Sequence, residues 1–412
     1  MTQGRYDVVI IGGGIIGLAT AVVCVQRFPR WRMLVLEKES RVGLHQSSHN
    51  SGVIHSGLYY RPGSIKAQTC VQGAAAMMAF CHEHGLPLRV CGKVVVATSA
   101  KELPVLEELH RRGLANGVPK LSRIGPERLR ELEPHSAGVA AVHIPGVAVT
   151  DYALVTAKLA ELVIAGGGEL VTKAGATRIV TRGTESVAET SRGAFAARYL
   201  VNCAGLYSDR LCRSSGARTA RTQLDTIIAP FRGEYYEIVP ERRHLVRGLI
   251  YPVPDPKFPF LGVHFTPHVH EGVEVGPNAV LAFHREGYRR SDFDFGDTMA
   301  TLVFPGFWRM AKKHWRRGLS EYYRALCKKA FVRDAQRLVP DLGASDIVPG
   351  GSGVRAQALD RTGNLLDDFH IVRTGNTIHV LNVPSPAATA SLLIARHIAD
   401  LIGAEAELPT TG

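Results

Sequence analysis

The sequence predicts an α/β chain folded as two lobes, and three observations support this. First, an apolar run between Asp7 and Gln26, VVIIGGGIIGLATAVVCV, is broken by Gly12, Gly13, Gly14 and Gly17. Second, strand–helix alternation returns in the middle of the chain and again at its end. Third, the stretches between carry different signals: charged helical patterns with short strands at 85–140, and a proline-rich, sheet-like region at 225–285. One Rossmann-like domain is therefore expected from three separated segments, with a mixed-sheet α+β domain built from the intervening ones.

The opening run is long enough to pass for a membrane span or a signal peptide, but its glycines divide it. It reads as a strand over Tyr6 to Ile11, a glycine turn, a helix from Ile15 to about Phe28, and a strand over Met33 to Leu36. Gly12-x-Gly14-x-x-Gly17 thus lies between strand and helix, and Glu37 follows the second strand twenty residues after Gly17. That context turns a weak motif into a dinucleotide-binding one. Gly12 allows the turn, Gly14 lets the backbone approach a pyrophosphate, and Gly17 lets helix and strand pack closely. The helix N-terminus offers N–H groups and positive potential to phosphates, and Glu37 can accept ribose hydroxyls, which disfavours a 2′-phosphate.

Further along, residues 67–81 have helical spacing, with Met77 and Met78 as core, and a β-rich stretch covers Lys93 to Thr98. Helices follow over Lys101–Arg112 and near Pro126–Leu132. Asp151 caps a helix to Ala165, Gly166-Gly167-Gly168 ends it, and strands follow at 169–172 and at Tyr199–Cys203. Residues 300–340 read as helical and basic, and the chain closes with a strand over Ile378–Val383 and a helix over Ala387–Ile402.

A mean hydropathy of +0.02 with 45% hydrophobic residues excludes a disordered, fibrous or polytopic membrane chain. Seven cysteines without a CxxC pair argue against a disulfide framework or zinc ribbon and for a reduced compartment. The formal charge of +12, with a pI near 9.5, asks for an anionic partner without choosing among nucleic acid, membrane and acidic substrate. No recognisable RNA- or DNA-binding module accompanies it, so a nucleic-acid partner is not expected.

The run HQSSHNSGVIHSGLYYRPGS (45–64) resembles the second signature of flavin oxidoreductases of the D-amino-acid-oxidase type, in the glutathione-reductase-2 fold group. More narrowly, HNSGVIHSGLYY, PFLGVHFTPHVHEGVEVGPNAVLAFHREGY (259–288), GVRAQALDRTGNLLDDF (353–369) and NVPSPAATASL (382–392) resemble the L-2-hydroxyglutarate dehydrogenase (oxidase) family. The chain departs from that pattern at Ser47-Ser48, His268 and His284. The resemblance implies an FAD-binding domain from 1–84, 146–218 and 346–412, and a substrate domain from 85–145 and 219–345. It implies oxidation of (S)-2-hydroxyglutarate to 2-oxoglutarate, with electrons passed to a membrane quinone or to oxygen. The same resemblance leaves open an amine or amino-acid oxidase, or another hydroxyacid:quinone oxidoreductase. A non-catalytic flavin- or nucleic-acid-binding protein is the reading from another class.

By resemblance the cofactor residues are Gly12, Gly14, Ile15, Gly17, Glu37, Lys38, Ser48, His49, Asn50, Ser51, Ala176, Ala204, Gly205, Gly353, Ser385, Ala387 and Ala388. The last helix is expected to direct its positive end at the flavin N1–C2 carbonyl. Cys203 reads as a small apolar strand residue rather than a redox group. An α-hydroxy diacid needs cations for its carboxylates and a base for its hydroxyl. Arg355 is the expected carboxylate fork, His264 the expected base, and His55 a rival base or flavin neighbour. Tyr59, Tyr60 and Tyr251 are expected to line the pocket. His264, His268 and His270 have metal-like spacing, but hydride transfer to flavin gives a redox-inactive metal no role, so no metal is expected.

The excess charge is concentrated. From Arg309 to Arg333 nine residues are Lys or Arg and one, Glu321, is acidic, which accounts for two-thirds of the +12. Trp308, Met310, Trp315, Leu319, Tyr322, Tyr323 and Leu326 interleave with them, a mix suited to a lipid headgroup layer. The segment 307–333 is therefore expected to dock on an anionic membrane surface. No cleavable presequence is evident, which points to a bacterial cytoplasm with the protein peripheral on the inner face of the membrane.

Overall fold

A computed structural model describes residues 2–182, 184–216, 226–255 and 261–406. The expected domain join at 218/219 and the first two residues of the 259–288 signature lie outside the described residues. The chain forms two compact units, Met1–Ser48 with Tyr152–Ala229 and Ala356–Gly412, and His49–Asp151 with Pro230–Arg355.

In the first unit the opening apolar run is a buried strand, a turn and a helix. The strand Thr2–Ile11 lies parallel to both Gly193–Asn202 and Met33–Leu36. Glu169–Val171 extends the sheet in parallel on one side, and Thr377–Asn382 pairs in parallel with the end of Gly193–Asn202 on the other. Val8, Val9 and Ile10 are wholly buried, as in a parallel sheet covered on both faces. Ala176–Arg182, Glu185–Thr190 and Gly193–Asn202 form an antiparallel meander at one side. The helix Ile15–Arg27 packs against Tyr152–Ala165 and Ala387–Ala406. The stretch Ala387–Ala404 is long and apolar enough to cross a membrane, but Ala390, Ile394, Ala395, Ile398 and Ile402 are buried in this unit's core.

A buried polar network ties two strand ends of this sheet together. The Asn202 amide donates to the Ser208 carbonyl at 2.8 Å and to His379 Nδ1 at 3.2 Å, and its oxygen accepts the Ala204 N–H. His379 Nε2–H donates to Thr374 Oγ1 at 3.0 Å. This tautomer is neutral, and burial pushes the imidazole down to about 4.

The second unit is built on a nine-stranded mixed sheet. Its central strands run from Val273–Gly276 through His264–Pro267, Leu249–Pro252 and Lys93–Ala97 to Ala140–Ile144. Period-two alternation divides its side chains between two cores. Val94, Val96, Ile250 and Phe265 enter one, with Phe331 and Leu338 from the helical region. Val95, Ala97, Leu249 and Tyr251 enter the other, with Leu106 and Leu109 of the helix Leu103–Ala115.

The stretch 49–84, read from sequence as part of the first domain, packs inside the second unit. Val53 and Ile54 pair with Val149 and Ala148, and the helix Ile65–Glu83 packs on the same small sheet. That pairing joins segments far apart in sequence, which no local pattern announces.

Stability should decline as pH falls from about 6.5 toward 4, because the unfolded chain takes up a proton that folded His379 refuses. The full contribution of this histidine is present above the unfolded pKa and amounts to about 3 kcal/mol. Urea unfolding at stepped pH should show a shallower decline for His379→Gln than for the wild type. Identical slopes would contradict this.

Candidate active site

The first unit presents a glycine turn with no room for side chains. A Cβ at Gly12 would stand 2.3 Å from the Cys203 carbonyl oxygen, and one at Gly17 would stand 2.0 Å from the Gly12 oxygen. Gly12 has a φ of 111°, so glycine is required on both counts. Gly14, by contrast, is open: a Cβ there would meet only Ser47 Oγ, at 3.4 Å. Ser47 Oγ accepts the Ile15 N–H at 2.9 Å. The sequence reading named its neighbour Ser48, which is exposed. Among the described residues the Ile16 and Gly17 N–H groups take no backbone acceptor, as expected of a helix start.

Glu37 is buried, and its carboxylate accepts the Gly13 N–H at 2.7 Å and the Glu39 N–H at 2.8 Å, one on each oxygen. Each oxygen keeps a lone pair for a further donor. Lys38 contacts Glu39 and, at 2.9 Å, His45. Gly205 has a φ of 54° in the turn after the Gly193–Asn202 strand, beside Ala204. Burial pushes the Cys203 thiol up to about 12, which removes it as a nucleophile. Ala176 begins the meander opposite Thr190. Ser385 is exposed just before the Ala387–Ala406 helix, whose first turn contains Ala387 and Ala388.

In the second unit the sequence candidates His55, Tyr59, Tyr251, His264 and Arg355 belong to one cationic and aromatic cluster. The His264 ring stacks on Tyr251 with centroids 3.9 Å apart. His264 Nδ1 lies 2.8 Å from the Gly262 carbonyl oxygen, and a carbonyl only accepts, so Nδ1 carries the proton. Nε2 is then the lone-pair nitrogen. Burial, with smaller contributions from the nearby cations Lys93 and Arg355, pushes His264 down to about 3. His55 is pushed down to about 3 by burial and then by Lys93. Arg355 hydrogen-bonds Tyr235, and its guanidinium lies 3.3 Å from where a Gly233 Cβ would be. Tyr60 lies in the same loop, its carbonyl held by Asn116 at 2.9 Å, with Lys66 Nζ 5.6 Å from its ring centre.

Lys93, Tyr235 and Gly233 escaped the sequence reading. Lys93 Nζ lies 3.5 Å from the Tyr251 ring centre and 4.5 Å from that of Tyr59. A strand-initial lysine reads as a solvent-facing end, yet Lys93 is 4% exposed. His268 and His270 turn away to different carboxylates, Glu274 at 3.4 Å and Asp151 at 3.1 Å, and only His264 of the three joins the cluster. Of the remaining cofactor candidates, His49, Asn50, Ser51 and Gly353 lie in this unit. A Cβ on Gly353 would stand 2.4 Å from the His49 carbonyl oxygen, His49 stacks on Tyr288, and Asn50 Oδ1 accepts the Gly52 N–H.

The model of the family described as FAD dependent oxidoreductase matches residues 7–401. The chain belongs to that family. An L-2-hydroxyglutarate dehydrogenase of Indibacter alkaliphilus is 50% identical over 94% of this chain and 96% of its own. Proteins with that name from Escherichia coli K12 and, as a mitochondrial form, from Homo sapiens are 44% and 43% identical, over 95% and 99% of this chain and 92% and 90% of their own. Among solved structures, an FAD-bound L-alpha-glycerophosphate oxidase of Mycoplasma pneumoniae superposes with a TM-score of 0.78 at 22% identity, covering 97% of this chain and 95% of its own. A glycine oxidase of Geobacillus kaustophilus gives 0.72 at 22% identity, covering 98% and 95%. These two share the fold.

The first unit of this FAD-dependent oxidoreductase fits its cofactor. Gly14 leaves backbone open to a pyrophosphate, the helix start supplies N–H groups, and buried Glu37 retains acceptors for ribose hydroxyls. Gly17→Ala should displace the turn and weaken flavin retention about tenfold or more. The ratio of flavin absorbance to protein after purification measures this, and full retention would contradict it.

Proposed function

We propose that the chain is an L-2-hydroxyglutarate dehydrogenase that converts (S)-2-hydroxyglutarate to 2-oxoglutarate, its first unit holding FAD and its second the substrate. The names and near-full-length coverage of the relatives support this. The observation that carries it is His264, a buried neutral imidazole whose Nδ1–H is committed to Gly262 and whose Nε2 is the acceptor, within a cluster that also holds two cationic side chains. FAD, when bound, supplies the two-electron acceptor for the hydride on the carbon bearing the hydroxyl. His264 Nε2 takes the hydroxyl proton, and the Arg355 guanidinium binds a carboxylate, steadied by Tyr235. His55, pushed down to about 3 by burial and so neutral, is assigned to the pocket wall rather than the role of base. A glutamate-like amine would bring an ammonium beside Lys93 and Arg355, whereas a hydroxyl brings no charge, which favours the hydroxyacid over an amino acid.

Anaerobic mixing with (S)-2-hydroxyglutarate should bleach the flavin, while (S)-glutamate should not; no bleaching with the hydroxyacid would overturn the assignment. His264→Ala should lower kcat about a hundredfold to ten-thousandfold with little change in KM. Because His264 stays neutral well below the usual histidine range, kcat/KM should show no acid limb from this residue near pH 6.5.

The electron acceptor is proposed to be a membrane quinone, with oxygen a slower alternative, reached by docking on an anionic inner membrane face. On the helix Pro305–Leu326, Trp308, Trp315, Leu319, Tyr323 and Leu326 form an apolar stripe, each more than half exposed. Phe293, Phe295 and Val303 just before it are also more than half exposed. Lys312, Lys313, Arg316 and Lys329 are exposed beside the stripe. Arg317 instead pairs with Asp255 at 2.8 Å, and Arg324 with Glu321 and Asp334, so part of the run of cations is internal. Each exposed cation adds about 1 kcal/mol at an anionic surface. Co-sedimentation with phosphatidylserine-containing liposomes should fall with salt and disappear when Lys312, Lys313, Arg316 and Lys329 become Glu. Salt-insensitive binding, or binding unchanged in the variant, would remove this part of the proposal.

A further inference from the structure

Lys93 is a buried cation that the base and the Arg355 fork leave unexplained. It begins the strand Lys93–Ala97, and alternation sends it to the same sheet face as Val95, Leu249 and Tyr251. At 4% exposure the side chain is almost wholly withdrawn from bulk water. Its described contacts are two aromatic faces, Tyr251 at 3.5 Å and Tyr59 at 4.5 Å, and no carboxylate pairs with it among the described residues. Burial holds the amine well below the usual lysine range. Two ring faces offset only part of the cost of a desolvated ammonium, and an apolar residue would fill the same space without that cost. Beside it the Tyr59 hydroxyl is buried and lacks a hydrogen-bond partner among the described residues. A cation and a hydroxyl donor, both buried and unsatisfied at one place, suit a carboxylate.

We propose that Lys93 and Tyr59 form the subsite for the distal carboxylate of the diacid, leaving Arg355 for the carboxylate next to the reacting carbon. This rests on the functional reading above and deepens it. The subsite is what makes the enzyme select diacids. A five-carbon 2-hydroxyacid ending in a methyl group would leave the ammonium and the phenol unpaired, as they are without substrate. The dianion would supply the charge that keeps the amine protonated and an acceptor for the Tyr59 hydroxyl.

The experiment compares FAD-loaded wild type, Lys93→Met and Tyr59→Phe on (S)-2-hydroxyglutarate and on (S)-2-hydroxypentanoate, which lacks the distal carboxylate. The wild-type preference for the diacid, as a ratio of kcat/KM values, should fall about a hundredfold in Lys93→Met. In Tyr59→Phe, which loses one oxygen and tests the subsite without removing a charge, it should fall about fivefold. Binding of glutarate and pentanoate, followed by perturbation of the flavin spectrum, should lose the same discrimination. An unchanged preference in either variant would overturn the proposal. So would equal losses on both substrates, which would place Lys93 at the hydroxyl or in the scaffold. Failure of the wild type to oxidise the diacid at all would instead sink the functional reading, so the two failures are distinguishable.

Discussion

Between the Cys203 carbonyl and the first turn of the Ile15–Arg27 helix, the backbone passes so close that Gly12 and Gly17 have no space for a methyl group. That contact follows from register. Ile11 and Asn202 are aligned across a parallel pair, so the two strands end together and their turns meet side by side. The turn fixes the direction of the helix, the helix start faces Ser47, and Gly13 donates to Glu37 at the end of the next strand. Asn202 then holds the second turn through Ala204 and Ser208, and His379 carries the tie to the strand from the C-terminal segment. A domain made of three distant segments thus has its glycine turn, Glu37 and second turn positioned by one close backbone approach.

The second unit depends on a different regularity. Its sheet sends alternate residues to opposite faces, so one face is a dry aliphatic core around Phe265 and Phe331. The other face gathers Lys93, Tyr251 and His264, each from a different strand. Leu249 opposite Lys93 and Tyr251 opposite Val95 fix the lysine one step from the tyrosine ring that His264 also stacks on. A one-residue slip of any one of these strands would turn its polar member to the opposite face and bury its polar atoms in the apolar core there. These three members of the cluster are therefore held by strand register.

What the sequence made legible was local. The glycine spacing, Glu37 and the final helix each follow from a few neighbouring residues; the first helix and the second strand match their expected bounds to within about one residue, whereas the final helix continues past Ile402 to Ala406. His264 was named for its chemistry, and its tautomer follows from a carbonyl two residues away. Lys93 was illegible because its burial is decided by Tyr59 on one side and Tyr251 on another, both distant in the chain. Tyr235 is known as the partner of Arg355 only once two strands are in place. The stretch 49–84 is similar: its side chains suit either domain, and the pairing of Val53 with Val149 decides which. The charge run was legible as a run, but the division of its cations into internal pairs and an exposed rim required Asp255 and Asp334 in place.

The electrostatics of the cluster join recognition to catalysis. Without substrate, Lys93 and Arg355 add to burial in holding His264 down to about 3, so the imidazole is the right form to accept a proton but a weak base. In the proposed complex, a dianion beside those two cations would cancel their field, because its two charges offset theirs. In that complex, bringing the diacid's carboxylates to Lys93 and Arg355 would therefore raise the proton affinity of Nε2 at the moment a hydroxyl is present to be deprotonated. On the same proposal, a monoanion would neutralise one cation and leave the other in place, so it would bind less well and also meet a weaker base. Selectivity for a diacid then appears in kcat as well as in KM, which binding of the second carboxylate alone would not require.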